Sequence, residues 1–469
     1  MEQKKEFDGR LLLVTTLLIS ICSIIYELII SSMSTYLNGD SIKQYSITIG
    51  LYMSAMGIGS YISKYIKNKL FNKFIYVEIL TGVLGGFSTL ILFLSNIYTN
   101  IYYLIMYLLI IFIGVLVGLE IPLLTRIIEE NNSNIRINLA NIFTFDYIGG
   151  LIGSIAFPLL LFPKLGFITT SILVGTINIF VSLLIMFKYR IFIYKSKLIR
   201  KFIVTIFVIL FIFLLSGDKI TKTIEGGLYR DDVIYSKQTM YQKIVMTKHK
   251  DDVRLFLDGN LQFSSIDEYR YHESLVHVPF LYAEKHDRVL VLGGGDGLAV
   301  REILKYEDVN EIVLVDIDAE MIELCKTNNN INVVNEKSLE NDKLKILNED
   351  AYKYIENNKE KFDIIIIDLP DPNNEALNKL YTNVFYNYVK ANLNEGGVAV
   401  TQSTSPYYAK KSFWCINKTI KTQFENVVPY HVQVPSFGEW GFNMMYNGEI
   451  KRKKAVKCKD SIFKWGYYK

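Results

Sequence analysis

Long uncharged apolar runs dominate the first 217 residues of this chain, and shorter, mixed stretches follow them. A helix needs about 20 apolar residues to cross a bilayer. Stretches that approach this length lie at 11–32, 44–63, 74–95, 101–124, 140–162, 167–187 and 202–217. The pattern predicts an α-helical transmembrane bundle of six to seven spans over residues 1–217.

Basic residues concentrate in every second loop of this bundle. They are Lys4, Lys5, Arg10, Lys64, Lys67, Lys69, Lys73, Lys188, Arg190, Lys195, Lys197, Arg200 and Lys201. Loops rich in Lys and Arg stay in the cytoplasm, so seven full crossings would leave the C-terminal part outside. Because the last apolar run is only about 16 residues long, we expect it to turn back or lie at the interface. The C-terminal part is then cytoplasmic.

Four carboxylic acids fall inside the predicted spans, namely Glu27, Glu78, Glu120 and Asp146. A carboxylate inside a membrane is costly unless it is paired or hydrated, and such residues are functional candidates. Lys and Arg occur only near the ends of the spans, which suits a cationic ligand. The alternative is that Glu78, Glu120 and Asp146 lie near the cytoplasmic ends and reach headgroup water.

The pattern changes near Tyr229 to short stretches rich in β-branched and aromatic residues. An Asp258-Gly-Asn260 turn between two of them is typical of a hairpin, and we predict a small antiparallel β domain over 229–282. A strand at 288–292 then leads into Gly293-Gly-Gly-Asp-Gly297 and a helical stretch. Strand, glycine turn and helix in this order predict an α/β Rossmann-like domain over 283–469.

Glycines in such a turn allow the backbone to approach a nucleotide closely, and the next helix offers N–H donors. A second strand at 311–315 ends in Asp316, whose carboxylate can accept hydrogen bonds from ribose hydroxyls. Strands at 344–347 and 362–367 precede further acids. Because ligands bind at the carboxyl ends of parallel strands, we expect one crevice to contain Asp296, Asp316, Asp350, Asp368 and Asp371. A simple helix-capping role is the alternative, and it fits Asp350 best.

Composition and charge argue against some kinds of site and partner. The four cysteines are far apart without metal-binding spacing, so neither a disulfide framework nor a zinc site is indicated. The net charge of +4 is small and partly reflects loop lysines, and we expect no nucleic-acid partner.

Several motifs together resemble the polyamine aminopropyltransferase (spermidine synthase) family, specifically its membrane-bound bacterial members. The resemblance covers roughly 229–447. The motifs are Tyr241-Gln242, Leu257-Asp-Gly-Asn-Leu-Gln262, Asp267-Glu-Tyr-Arg-Tyr-His-Glu273, Gly293-Gly-Gly-Asp-Gly297, Asp350-Ala351, Asp368-Leu-Pro-Asp-Pro372 and Val434-Pro-Ser-Phe-Gly-Glu-Trp-Gly-Phe442. Three positions depart from the family pattern: Leu369 replaces a serine, Asp316 a common glutamate and Phe437 a tyrosine, so the resemblance does not define the amine acceptor.

The resemblance implies transfer of the aminopropyl group of decarboxylated S-adenosylmethionine to a polyamine such as putrescine, without a metal or prosthetic group. The co-substrate would be bound by Gln242, Gly293, Gly295, Asp296, Asp316, Asp350 and Ala351. The acceptor would be bound by Gln262, Tyr271, His272 and Asp371, although Tyr271 and His272 suit structural roles too. The resemblance also implies a multi-pass protein of the plasma membrane, in contact with lipid, and a homodimer paired through the C-terminal domain.

An amine nucleophile is an ammonium with a pKa of about 10 in water, so a base must accept its proton, and Asp368 is the candidate. Two rival functions remain open. The same fold serves methyltransferases that use S-adenosylmethionine, and the helices could form a polyamine transporter or sensor with a regulatory nucleotide-binding domain.

Overall fold

The computed structural model describes residues 10–38, 41–131, 135–229, 231–372 and 375–449. The chain forms two compact units, Met1–Arg230 and Asp231–Lys469. The described elements of the first unit are all helical, and the second unit contains two β-sheets with flanking helices. The predicted fold class is confirmed: a bundle of apolar helices precedes an antiparallel sheet and a Rossmann-like sheet.

The described helices of the first unit are α1 (Arg10–Asn38), α2 (Ser41–Ser63), α3 (Leu70–Tyr98), α4 (Tyr102–Asn131), α5 (Ile135–Ala156), α6 (Phe162–Lys188), α7 (Ser196–Leu215) and α8 (Gly217–Tyr229). A π-helical turn, Phe157–Leu161, joins α5 to α6. Within the described residues, five stretches are long and apolar enough to cross a membrane: Arg10–Leu37, Leu70–Tyr98, Tyr102–Glu130, Arg136–Lys188 and Ser196–Leu215. The fourth has 53 residues and contains both α5 and α6, so the exact number of spans stays a prediction.

Helix α7 packs mainly against α6 and also touches α3. Asn72 of α3 donates a hydrogen bond of 2.9 Å to the carbonyl oxygen of Tyr194, just before α7. Leu210 packs beside Gly86, and Gly227 of α8 lies near Ile97 at the far end of α3. Whether this helix crosses the membrane, turns back or lies at the interface stays a prediction, but the sequence estimate of about 16 residues for its length is too short. It counted only uncharged residues, whereas the 20-residue helix begins at Ser196 within the preceding basic segment.

The second unit starts with an antiparallel sheet formed by β1 (Asp232–Gln238), β2 (Lys243–His249), β3 (Asp252–Leu257) and β4 (Asn260–Ser264). The predicted hairpin joins β3 to β4, where Asp258 and Gly259 have positive φ angles of 48° and 79°. Glycine accommodates this backbone region without steric cost.

A seven-stranded sheet forms the rest of this unit, in the order β10-β11-β9-β8-β5-β6-β7. Its strands are β5 (Arg288–Gly293), β6 (Glu311–Val315), β7 (Leu344–Leu347), β8 (Phe362–Asp368), β9 (Leu393–Gln402), β10 (Asn426–Val434) and β11 (Gly438–Tyr446). Strands β5 to β9 pair in parallel, and β10 and β11 add antiparallel pairs at one side. Because β5 lies between β6 and β8, the strand order reverses at β5, where open α/β sheets bind ligands.

The helices of this unit are α9 (Glu268–Phe280), α10 (Leu298–Ile303), α11 (Ala319–Thr327), α12 (Asn329–Val334), α13 (Ala351–Asn357), α14 (Glu375–Asn378), α15 (Asn383–Ala391) and α16 (Lys410–Ile420). The central strands are buried on both faces, as their nearly continuous runs of Val, Leu and Ile require. This rigid sheet fixes the positions of the loops at its carboxyl edge.

Candidate active site

The predicted glycine turn contacts the acids at the ends of the two neighbouring strands. Gly293 has a φ of 79°, and a Cβ atom there would lie 2.1 Å from the carbonyl oxygen of Asp368. The N–H of Gly295 donates to Asp316 Oδ2 at 3.1 Å. Since a side chain at either glycine would collide with these residues, the turn brings the backbone close to both acids.

Asp316 is held by the backbone on both sides. Its Oδ1 accepts a 2.9 Å hydrogen bond from the N–H of Asp318, opposite the bond from Gly295. Burial raises the pKa of Asp316, and these two backbone donors oppose the rise. Each carboxylate oxygen can accept more than one hydrogen bond, so the fixed carboxylate can still receive ribose hydroxyls.

Gln242 is held at the same edge of the sheet by a hydrogen bond to Asp318, a residue that the sequence did not indicate. Its Nε2 donates to Asp318 Oδ2 at 2.9 Å, and Thr239 Oγ1 donates to the same oxygen at 2.8 Å. Asp318 also caps α11 by accepting from the N–H of Glu320. The Asp-Ile-Asp sequence directly after β6 was the available signal for Asp318.

Asp368 ends β8 in a buried position. The hydroxyl of Tyr271, on α9, donates to Asp368 Oδ1 at 2.6 Å. Burial raises the pKa of Asp368, whereas the charge of His272 and the hydrogen bond from Tyr271 lower it. The Tyr271 ring packs edge-on against Phe437 and Trp440, which fixes the position of its hydroxyl.

Asp371 is positioned by Gln402, a second residue missed from the sequence. Gln402, the last residue of β9, donates through Nε2 to Asp371 Oδ1 at 3.1 Å and to the carbonyl oxygen of Leu369 at 2.5 Å. Trp440 Nε1 donates in turn to Gln402 Oε1 at 3.2 Å. Burial raises the pKa of Asp371, and the hydrogen bond from Gln402 opposes it. No local motif marks Gln402, because its partners come from distant parts of the chain.

His272 lies behind Tyr271 and is only 2% exposed. Its Nδ1 is 2.7 Å from Glu268 Oε2, and Arg301 makes two contacts with the Glu268 carboxylate at 2.7 and 3.0 Å. Burial opposes protonation of the imidazole, but the bond to Glu268 and its charge prevail and raise the pKa of His272 to about 9. The sequence did not indicate this buried network.

Asp296 lies close enough to both His272 and Asp368 for their charges to interact. Its Oδ1 accepts from the N–H of Leu298 at 2.9 Å, at the start of α10. Burial raises the pKa of Asp296 to about 6, with His272 opposing the rise and Asp368 adding to it.

Two predicted residues lie apart from this cluster. Asp350 caps α13, accepting from the N–H of Tyr352 at 2.8 Å, and is 2.5 Å from Lys379 Nζ. Burial would raise the pKa of Asp350, but the hydrogen bond from Lys379 keeps it below the usual value. Gln262 donates to the carbonyl oxygen of Asn260 at 3.3 Å. Among the described contacts, none joins Gln262 or Asp350 to Asp368 or Asp371.

Ala351 is buried beside Asp350, at the first position of α13. Within the described residues, no group of three or more His, Cys, Asp or Glu side chains could hold a metal ion. The described residues at the carboxyl edge of the parallel sheet form a crevice that contains buried carboxylates, a glycine turn and aromatic rings. This arrangement suits an enzyme that binds a nucleotide beside a cationic substrate.

Comparisons with known proteins agree with this class. Residues 268–459 match the model of the spermine/spermidine synthase domain. The chain is 42% identical over 443 residues to a polyamine aminopropyltransferase of Leptospira interrogans, covering 94% of this chain and 89% of the relative. It is 41% identical over 441 residues to that of Oceanobacillus iheyensis, covering 92% and 85% of the two chains.

A solved spermidine synthase in complex with the transition state analogue AdoDATO is 30% identical, with a TM-score of 0.44, covering 46% of this chain and 74% of that chain. The alignments to the two relatives extend well into the helical unit, because they cover more than nine tenths of this chain. The chain belongs to the polyamine aminopropyltransferase family. It is an aminopropyltransferase, and the predicted family and reaction type are confirmed.

Proposed function

We propose that this enzyme transfers the aminopropyl group of decarboxylated S-adenosylmethionine to putrescine, giving spermidine and methylthioadenosine. The observation that carries the proposal is the 2.6 Å hydrogen bond between Tyr271 and the buried Asp368, beside the glycine turn and near Asp371. Two carboxylates beside a nucleotide crevice match a diamine, which carries two ammonium groups.

The co-substrate would lie against the glycine turn. Asp316 would accept the ribose hydroxyls, because backbone donors already hold its carboxylate in place. Gln242 and Asp296 would border the adenosyl and sulfonium portions, and Asp350 with Ala351 would contact the base. The negative charge of Asp296 and Asp368 favours binding of a sulfonium cation.

In the proposed reaction the amine nitrogen forms a bond to the aminopropyl carbon attached to sulfur. The carbon–sulfur bond breaks, and its electron pair stays on sulfur, so methylthioadenosine leaves as a neutral thioether. The attacking amine must lose a proton, and Asp368 would accept it. Burial raises the pKa of Asp368, which makes the carboxylate a better acceptor, and Tyr271 holds it in position.

Asp371 would pair with the second ammonium of the acceptor. Gln402 fixes Asp371, and the ring of Trp440 closes the same region through its bond to Gln402. Gln262 would extend the acceptor site from β4. His272 would act behind Tyr271, as a buried cation beside Asp296 and Asp368, rather than by touching the amine.

The test uses the purified full chain with decarboxylated S-adenosylmethionine or S-adenosylmethionine across a panel of di- and polyamines. We expect methylthioadenosine release only with the decarboxylated compound, and the fastest release with putrescine. Methyl transfer from S-adenosylmethionine, with no release from the decarboxylated compound, would instead support a methyltransferase.

We further propose that the enzyme is a multi-pass protein of the plasma membrane, in contact with lipid, with the catalytic unit in the cytoplasm where adenosyl nucleotides are available. One feature opposes this orientation. The loop 64–69 and the segment 189–195 lie at one end of the bundle, whereas α8 lies at the other, beside the end of α1, where Tyr36 contacts Tyr229 at 3.0 Å. By the positive-inside rule the basic end faces the cytoplasm.

Labelling of single introduced cysteines in intact cells decides between the two orientations. A cysteine at Asn447 that is protected from an impermeant maleimide, and one at Lys67 that is labelled, would support the cytoplasmic catalytic unit. The opposite pattern would place the catalytic unit outside the cell.

The proposed homodimer is supported by the family resemblance, and mass photometry of the detergent-solubilised chain tests it.

A further inference from the structure

Two glutamates are completely enclosed within the helical unit. Glu78 of α3 is 0% exposed and Glu120 of α4 is 1% exposed. Neither oxygen of Glu78 has a hydrogen-bond partner among the described residues. In the described structure Glu120 accepts a long hydrogen bond of 3.4 Å from Thr81. The alternative that these two acids reach headgroup water is therefore wrong, because the surrounding helices exclude solvent from both.

Four helices converge on these acids. Glu78, Gly82 and Gly85 follow one face of α3, since they are separated by helical spacing. A Cβ atom on Gly82 would lie 3.1 Å from the Cβ of Asn178 on α6, and a Cβ on Gly85 would lie 2.3 Å from the ring of Tyr26 on α1. The glycines therefore allow two polar side chains to pack directly against this face.

Those two side chains also contain unpartnered polar atoms. The Tyr26 hydroxyl and Asn178 Oδ1 are buried without a hydrogen-bond partner in the described structure, and the residues are 0% and 1% exposed. A buried polar group without a partner costs about 1–3 kcal/mol. Three such side chains, Glu78, Tyr26 and Asn178, in one region of a bundle indicate that a ligand supplies the missing hydrogen-bond partners.

A cationic ligand suits this site, because the described helices supply no counter-charge there. Within the described helices α1 to α7, Lys and Arg occur only in the first or last two turns. Arg126, for example, donates to the carbonyl oxygen of Ser63 at the end of α2. Glu78 and Glu120 lie close enough for their charges to interact when both are ionised, so one cation between them would relieve both their desolvation and their repulsion.

An ammonium ion fits this site better than a metal ion. Calcium requires six to eight oxygen ligands and magnesium prefers an octahedral shell, and no metal-binding group of three acidic, His or Cys side chains exists among the described residues. A primary ammonium has three donors, which match two carboxylates and the amide oxygen of Asn178. The Tyr26 ring can contact the attached methylene or the cation itself.

We infer that Glu78 and Glu120, together with Tyr26 and Asn178, form a binding site for a primary alkylammonium inside the helical unit. The site is separate from the catalytic acids, which lie in the second unit. Glu78 is eight residues from the start of α3, or about 12 Å at 1.5 Å per residue. The site thus lies within the bundle, nearer the end that has the basic loops.

Equilibrium dialysis of labelled putrescine against the full chain in lipid nanodiscs tests this site. We expect the double variant Glu78→Gln, Glu120→Gln to bind one equivalent of putrescine per chain less than the wild type. Glu27→Gln is the matched control, because Glu27 is another bundle glutamate and should retain the wild-type number. Equal binding by the wild type and the double variant would overturn the inference. It would show that Glu78 and Glu120 are protonated structural acids, which amides can replace without loss of putrescine binding.

A second measurement needs no variant. Dicyclohexylcarbodiimide modifies carboxyl groups in apolar surroundings, and mass spectrometry can locate the modified glutamate. We expect saturating putrescine to slow modification of Glu78 at least tenfold. Unchanged modification, or protection by Na⁺ or Mg²⁺ at concentrations where putrescine has no effect, would contradict an ammonium site. Aminopropyl transfer is measured in parallel, so failure of this site and failure of the catalytic proposal are distinguished.

Discussion

Buried carboxylates occur in both units of this molecule, but their surroundings differ. In the second unit Glu268 is bound by Arg301 and His272, and Asp316 by two backbone N–H groups. In the helical unit Glu78 has no partner among the described residues. An acid whose partners are other groups of the fold stabilises the structure, and we call it a framework acid. An acid without such a partner is available to a ligand. Two substitutions, Glu268→Gln and Glu78→Gln, and one change of pH test this difference.

Removing a framework acid should have the largest effect on stability. Glu268→Gln leaves His272 without its buried counter-charge and Arg301 with Glu302 alone, and breaking such a buried pair costs about 3–5 kcal/mol. We expect the free energy of unfolding to fall by about that amount in urea titrations of the second-unit transition. Glu320→Gln is the control, because its ion pair with Lys237 is half exposed and should contribute little.

Glu78→Gln should behave differently in the same assay. The substitution takes no partner away from another side chain among the described residues and removes a buried charge, so stability should stay the same or increase. A loss comparable to that of Glu268→Gln would remove the distinction between the two kinds of acid.

The network of Glu268 also predicts a pH dependence. Because the pKa of His272 is raised to about 9 in the folded state, its stabilising contribution is complete below its unfolded pKa of about 6.5 and is lost as the pH rises through 9. We expect the unfolding free energy to fall by up to about 3 kcal/mol between these values. His272→Gln should abolish this part of the pH profile, and a profile unchanged by the substitution would contradict the account.

A smaller effect than that of Glu268→Gln is expected at Gln402. Gln402→Leu removes the donor that positions Asp371 while keeping a side chain of similar size. We expect the KM for putrescine to rise about tenfold, equivalent to one hydrogen bond to a charged group, with the KM for the co-substrate unchanged. A rise in both KM values would indicate general damage to the site.

Much of the second unit could be predicted from the sequence. Strands β6 and β7 have the predicted limits, because runs of Val, Ile and Leu bounded by polar residues define buried strands. The glycine turn and Asp316, Asp368 and Asp371 follow from their positions after strands. Asp318, Gln402 and the pairing of Glu268 with Arg301 could not be predicted, because each depends on contacts between distant segments. The length of α7 was underestimated because a charged segment starts the helix.

The most direct test of the catalytic account is single-turnover aminopropyl transfer by Asp368→Asn, measured beside binding of decarboxylated S-adenosylmethionine. The amide has nearly the shape of the carboxylate but is not a base. The account predicts a loss in rate of about 10²–10⁴-fold with co-substrate affinity largely unchanged. Turnover near the wild-type rate would show that another group accepts the proton and would contradict the role of Asp368.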